Sequence, residues 1–174
     1  VHALYWQALY ERVAPARRAE WQLAIAKRGE SAYGVDAAQI ATELAMRFEV
    51  ARDWTRCLFY LRQAGVGALR RFAYVECVEV LRHGLTLLDR LPAADQPAQE
   101  LMLQLPLGAA LMAVEGYAAA AVEVTYQRAL ELTRRGAGAE GDVERALRGL
   151  WNVALVRAEL RSARAAADEL SLRA

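Results

Sequence analysis

The chain has 174 residues, and its 22 basic and 21 acidic side chains cancel to a net charge of +1. No long-range field therefore draws in the polyanionic backbone of nucleic acid or an anionic membrane surface. Hydrophobic residues make up 56% of the chain and aromatics only 8%, and with Ala, Leu, Arg and Glu dominating, the composition favours helix over sheet.

Taken in chain order, apolar residues at Leu4, Tyr5, Ala8, Leu9 and Val13 predict a first helix, and Pro15 opens a second in its first turn. Tyr33-Gly34-Val35-Asp36 supplies a glycine stop and an acidic cap. A third helix is expected from there to about Arg52, carrying Ile40, Leu44, Ala45 and Phe48. Asp53 caps a fourth, which ends near Arg71 and holds Trp54, Cys57, Leu58, Leu61, Ala64, Gly65 and Ala68 on one stripe.

A fifth helix places Tyr74, Cys77, Val78, Leu81, Leu85 and Leu88 on one face until Leu91-Pro92 breaks it. The sixth starts near Pro97 and closes at Gly116-Tyr117, with a kink or short break expected at Pro106, which lacks a backbone donor. Val122, Val124, Tyr126, Ala129, Leu130 and Leu132 belong to a seventh. The glycine-rich segment Gly136 to Gly141 leads into an eighth, from about Asp142 to Leu160, and a ninth begins near Arg161. No segment alternates with period two, so no sheet is expected.

Small residues recur where two helices would approach closely. Trp54, Cys57, Leu61 and Ala64 share a pattern with Tyr74, Cys77, Leu81 and Gly84. An apolar residue followed by a small one appears at Leu44-Ala45, Ala64-Gly65 and Leu107-Gly108, each with an apolar residue a turn later at Phe48, Ala68 and Leu111. This resembles the tetratricopeptide repeat, in which paired helices of about 34 residues stack side by side. The resemblance implies an all-α fold: a right-handed α-solenoid of antiparallel helix pairs, degenerate in its repeats, with about nine helices.

His2-Ala3-Leu4 through Tyr10-Glu11-Arg12, Ala16-Arg17-Arg18, Asp53-Trp54, Gln63-Ala64-Gly65, Arg70-Arg71-Phe72-Ala73 and Gly116-Tyr117 resemble a further family. These are the large bacterial signalling ATPases of the AAA/STAND type, which carry a nucleotide cyclase or a DNA-binding output domain in the same polypeptide. The resemblance implies that residues 1–34 form a helical junction following an ATPase region, and that residues 35–174 form the helical repeats, truncated at the C-terminus. Neither a phosphate-binding lysine nor an acidic magnesium-ligand motif lies in the sequence, so ATP binding is not carried over to these residues. Val1 in place of Met and a chain end at Ala174 inside a helical pattern read as an excised fragment.

Other motifs point to packing and solvation. Gly136, Gly138 and Gly141 have the spacing of a dinucleotide-binding loop, but a helix rather than a strand precedes them, which makes the segment a linker. His2 and His83 have no Cys, Asp or His at ligand spacing, and the carboxylates Glu76 with Glu79 and Glu140 with Asp142 and Glu144 belong to exposed faces and caps. Cys57 and Cys77 take small-residue slots in apolar helices, which argues for a reducing cytoplasm over a disulfide framework. Leu105 to Val114, the longest apolar stretch, is about half the ~20 residues that cross a bilayer.

No nucleophile, base and orienting group can be assembled, so no enzyme and no cofactor are expected. The expected function is a non-catalytic protein–protein interaction or sensor module in a signalling or transcriptional regulator, binding a protein segment or other domains of its own polypeptide. The alternative is a helical domain closing around a small-molecule effector near Pro106. Candidate groove residues are Trp151, Asn152 and Arg157, followed by Phe59, Arg62 and Arg70. Nucleic acid and membrane are excluded as partners, and apolar faces exposed at the cut ends would favour a homodimer.

Overall fold

The structure is a computed structural model that describes residues 13–173. It is all-helical, with no strand among the described residues. The helix expected over Leu4 to Val13, apart from Val13 itself, and the junction segment from His2 to Arg12 lie outside the described residues.

Pro15, with its φ already helical and no N–H to lose, opens α1 (Pro15–Tyr33), and Gly34 ends it at a φ of 51°. The segment from Asp36 differs from expectation: Gly34–Ile40 is a 3₁₀ helix, and α2 starts only at Ala41 (Ala41–Val50). Over seven residues apolar spacing does not distinguish three residues per turn from 3.6. Asp53 caps α3 (Trp54–Arg70) as its residue type dictates, Oδ1 accepting from the Arg56 N–H at 3.2 Å.

Next come α4 (Tyr74–Thr86), a short 3₁₀ turn at Leu88–Arg90, and α5 (Gln96–Glu115). Of the kink or short break expected at Pro106, the break is absent: α5 is continuous through the proline. Leu103, Gln104, Leu105 and Leu107 are all buried around the proline, and packing on this scale overrides the loss of one backbone bond. Gly116 then stops the helix at a φ of 90°.

The remaining helices are α6 (Ala120–Arg134), α7 (Glu140–Val156) and α8 (Leu160–Ser171). Leu160, expected at the end of the eighth helix, instead begins the last one. The turn before it is set by Ala158 at a φ of 58°, a position that neither glycine nor proline marks in the sequence.

That turn is one of a set. After α2, α3, α6 and α7 the chain makes the same paired backbone bonds, in which a left-handed residue lets the next amide reach back five positions. Asp53 N–H donates to Phe48 O at 2.9 Å, Ala73 to Ala68 at 2.9 Å, Ala137 to Leu132 at 3.0 Å and Glu159 to Ala154 at 2.8 Å. The left-handed residues are Arg52, Phe72, Gly136 and Ala158, so only one of these four turns uses glycine.

The chain divides into two compact units between Ala64 and Gly65, inside α3. In the first, α1 packs on α2, with Ala26, Leu44, Ala45 and Phe48 buried. The Phe48 ring stacks on Tyr60 at 5.7 Å, and the Tyr60 hydroxyl donates to Glu30 at 2.9 Å. In the second, each helix from α4 to α8 packs on its neighbour in the chain, and α5 also touches α7. Its core is built on Leu81, Leu101, Leu103, Leu111, Val122 and Leu132.

Candidate functional site

Close helix approach in the second unit depends on glycines facing large side chains. A Cβ on Gly65 would meet Leu81 at 2.6 Å. Tyr126 of α6 is flanked twice: a Cβ on Gly108 of α5 would lie 2.6 Å from its ring, and one on Gly149 of α7 would lie 2.5 Å away. The ring is only 6% exposed, and burial pushes its hydroxyl up to about 12. One aromatic side chain thus joins three consecutive helices, and the faces of α7 turned away from it are left to shape the surface.

Two grooves result. The first, of about 490 Å³, is lined by Glu144, Arg148 and Trp151 of α7 and by Ala167, Leu170 and Ser171 of α8. The second, of about 350 Å³, uses a different face of α7. Its floor includes Leu150, Ala154 and Ala166, and its rim carries Glu123 of α6 with Glu159 and Glu169 at α8. These carboxylates are already partnered: Arg157 pairs with Glu123 and Glu159, and Arg134 and Arg173 pair with Glu169. The second groove is therefore apolar with a balanced polar rim.

The candidate residues fall in separate places. Trp151 lines the first groove, and Asn152, half-buried beside it in the chain, does not. Arg157 lies by the second groove, donating to the Ala118 carbonyl through Nε at 3.0 Å and Nη2 at 2.9 Å, with Nη1 on Glu123. Its donors are committed inside the fold.

Phe59 and Arg62 belong to the first unit. Phe59 is 43% exposed, meets Tyr60 edge-on at 5.0 Å and lies under the Arg62 guanidinium at 5.6 Å. Arg70 is exposed in the last turn of α3, where its charge opposes the helix dipole favourably.

A further polar cluster was not foreseen from the sequence. Arg128 of α6 donates to both carboxylate oxygens of Glu100 on α5, through Nε at 2.6 Å and Nη2 at 2.7 Å. The hydrogen bonds from Arg128 hold the Glu100 carboxyl below its ordinary range. Gln104, one turn further along α5, donates weakly to Glu100 at 3.5 Å, and its buried Oε1 has no protein partner. Glu100 and Gln104 stand four apart, which hints at a shared face, but the pairing with Arg128, 28 positions away, has no local signature.

Cys57 and Cys77 are fully buried. Burial, helped by neighbouring carboxylates, pushes their thiols up to about 12 and about 11. Among the described residues no group of three His, Cys, Asp or Glu side chains could hold a metal ion, and no helix is long and apolar enough to cross a membrane.

Comparison with family models, with curated proteins and with solved structures returned no significant match.

Proposed function

We propose that the chain is a non-catalytic helical-repeat module that binds a protein segment within a multidomain, cytoplasmic bacterial signalling ATPase. The observation that carries the repeat reading is Tyr126, wedged between Gly108 and Gly149. Alternating small and large residues on successive helices is how a repeat stack buries a continuous core. Neighbour-to-neighbour packing from α4 to α8 supports the same reading of a stacked solenoid, whose right hand is what the repeat resemblance implies.

The binding role rests on the groove beside Trp151. Its volume and its mixture of one aromatic, aliphatic and charged groups suit a short amphipathic segment laid between two helices. The ATPase context rests on the resemblance carried by Asp53-Trp54, Gln63-Ala64-Gly65, Arg70-Arg71-Phe72-Ala73 and Gly116-Tyr117.

The test immobilises the chain and offers it bacterial lysate and, separately, isolated ATPase and output domains of that family. Selective capture that is lost on Trp151→Ala, with the helical circular dichroism unchanged, is the expected result. Capture indifferent to Trp151→Ala counts against the groove. A rise in melting temperature with a small metabolite, and no protein captured, replaces the proposal with the effector-receptor reading.

A further inference from the structure

The turn joining α5 to α6 is exposed at Gly116, Tyr117 and Ala118. Its backbone bonds are long, with Ala119 N–H donating to Gly116 O at 3.2 Å and Glu123 N–H to Ala119 O at 3.4 Å. Such a turn opens easily unless something outside it holds it.

Arg157, 39 positions beyond Ala118, holds it. It is the first residue of the turn joining α7 to α8, and its side chain is 22% exposed. Two donors of the planar fork take the Ala118 carbonyl, at 3.0 and 2.9 Å. The remaining nitrogen reaches Glu123 in the first turn of α6 and stands 3.7 Å from Glu159. Both carboxylates line the groove over α7, whereas Ala118 does not. One guanidinium therefore spans from the groove rim to a backbone carbonyl outside it.

We propose that Arg157 is a conformational clasp coupling that groove to the α5–α6 turn. An occupant that shifts the α7–α8 turn, or that claims Glu123 or Glu159, withdraws the guanidinium from Ala118 and loosens the turn. The geometry needs arginine: lysine keeps the charge but cannot fork between a carbonyl and a carboxylate. The regulatory use of the clasp rests on the interaction-module reading; the clasp itself does not, and it is tested without any ligand.

The experiment is amide hydrogen exchange by mass spectrometry on the whole chain and on Arg157→Gln, Arg157→Lys and Arg134→Gln. Charge-assisted hydrogen bonds of this kind predict that losing them speeds exchange at Ala119, Val122 and Glu123 on the order of 10-fold or more. Arg157→Gln and Arg157→Lys show that increase, while Leu101 to Leu111 and Ala146 to Ala154 stay as in the parent chain. Arg134→Gln, which breaks the exposed pair with Glu169, leaves the turn unchanged.

Unchanged exchange at the turn in Arg157→Gln overturns the proposal, and so does an equal increase throughout α5 to α7, which marks Arg157 as a general stabiliser. Should Arg157→Gln fail to fold, Glu123→Gln spares the bonds to Ala118 and is expected to give a smaller increase at the same amides. No increase there overturns the proposal as well. A failure of protein capture in the Trp151 experiment leaves these exchange results as they stand, so the two readings fail separately.

Discussion

The ring of Tyr126 on α6 occupies the space that a side chain on Gly149 of α7 would need: a Cβ there would lie 2.5 Å from the ring carbons. Helix propensity and packing oppose each other at this position. Alanine would favour helix by about 1 kcal/mol over glycine, yet overpacking a rigid buried ring costs typically 1–3 kcal/mol.

Gly149→Ala is therefore expected to lower unfolding stability by up to about 2 kcal/mol in urea denaturation, the clash outweighing the propensity. Gly108→Ala, which meets the other side of the ring at 2.6 Å, behaves likewise. Combining either with Tyr126→Leu recovers part of the loss, since the smaller side chain vacates the contested space; strictly additive losses would mean that the ring is not the obstacle.

Arg52, Phe72 and Ala158 hold left-handed backbone at φ values of 60°, 61° and 58°. A side chain costs roughly 1–2 kcal/mol in that region relative to glycine. Phe72→Gly and Ala158→Gly are expected to raise stability by about 1 kcal/mol each, after the unfolded chain's gain in freedom is subtracted. Gly136→Ala, at the corresponding turn, should lower it by a similar amount. Thermal melts at fixed pH measure all three.

The Arg128–Glu100 pair predicts an acid-sensitive contribution. The folded Glu100 carboxyl titrates below its unfolded range because Arg128 hydrogen-bonds its ionised form. Its stabilisation is present above about pH 4.3, the ordinary glutamate value, and is lost as pH falls through the depressed folded value. Arg128→Gln should cost on the order of 1.5–3 kcal/mol at pH 7 and flatten the decline in stability as pH falls below about 4.3. A variant that loses stability equally at every pH would remove Glu100 as the cause.

Cys57 and Cys77, with thiols raised to about 12 and about 11 and no exposed surface, should resist a disulfide reagent at pH 8 in the folded state. Both react once denaturant unfolds the chain. Rapid labelling of either cysteine in native buffer would contradict the burial.

The sequence discloses the parts of the fold whose causes are local. Pro15, Asp53 and Gly116 mark helix ends through a preset φ, a capping carboxylate and a permissive backbone, and each acts where its residue type predicts. The end of α7 escapes such reading because Ala158 adopts a conformation that alanine rarely takes, forced by the neighbouring backbone bonds rather than by its own preference. Gly34–Ile40 escapes because its winding is tighter than its apolar spacing can report.

At the candidate sites the same division holds. Trp151 is visible in sequence as a large aromatic on a helix, and it lines a groove. That Arg157 is spent on Ala118 and Glu123, and that Glu100 finds Arg128, depends on contacts between helices tens of residues apart, which no periodicity encodes.

Site-specific photo-crosslinking addresses the interaction-module proposal most directly. A photoreactive phenylalanine replaces Trp151, or as a control the exposed Met46 of the first unit, in the chain expressed within a bacterial signalling ATPase. The proposal predicts a discrete protein adduct, or an intramolecular cross-link to another domain, from position 151 and none from position 46. Adducts of equal yield and identity from both positions, or none from position 151 in a folded protein, would contradict it.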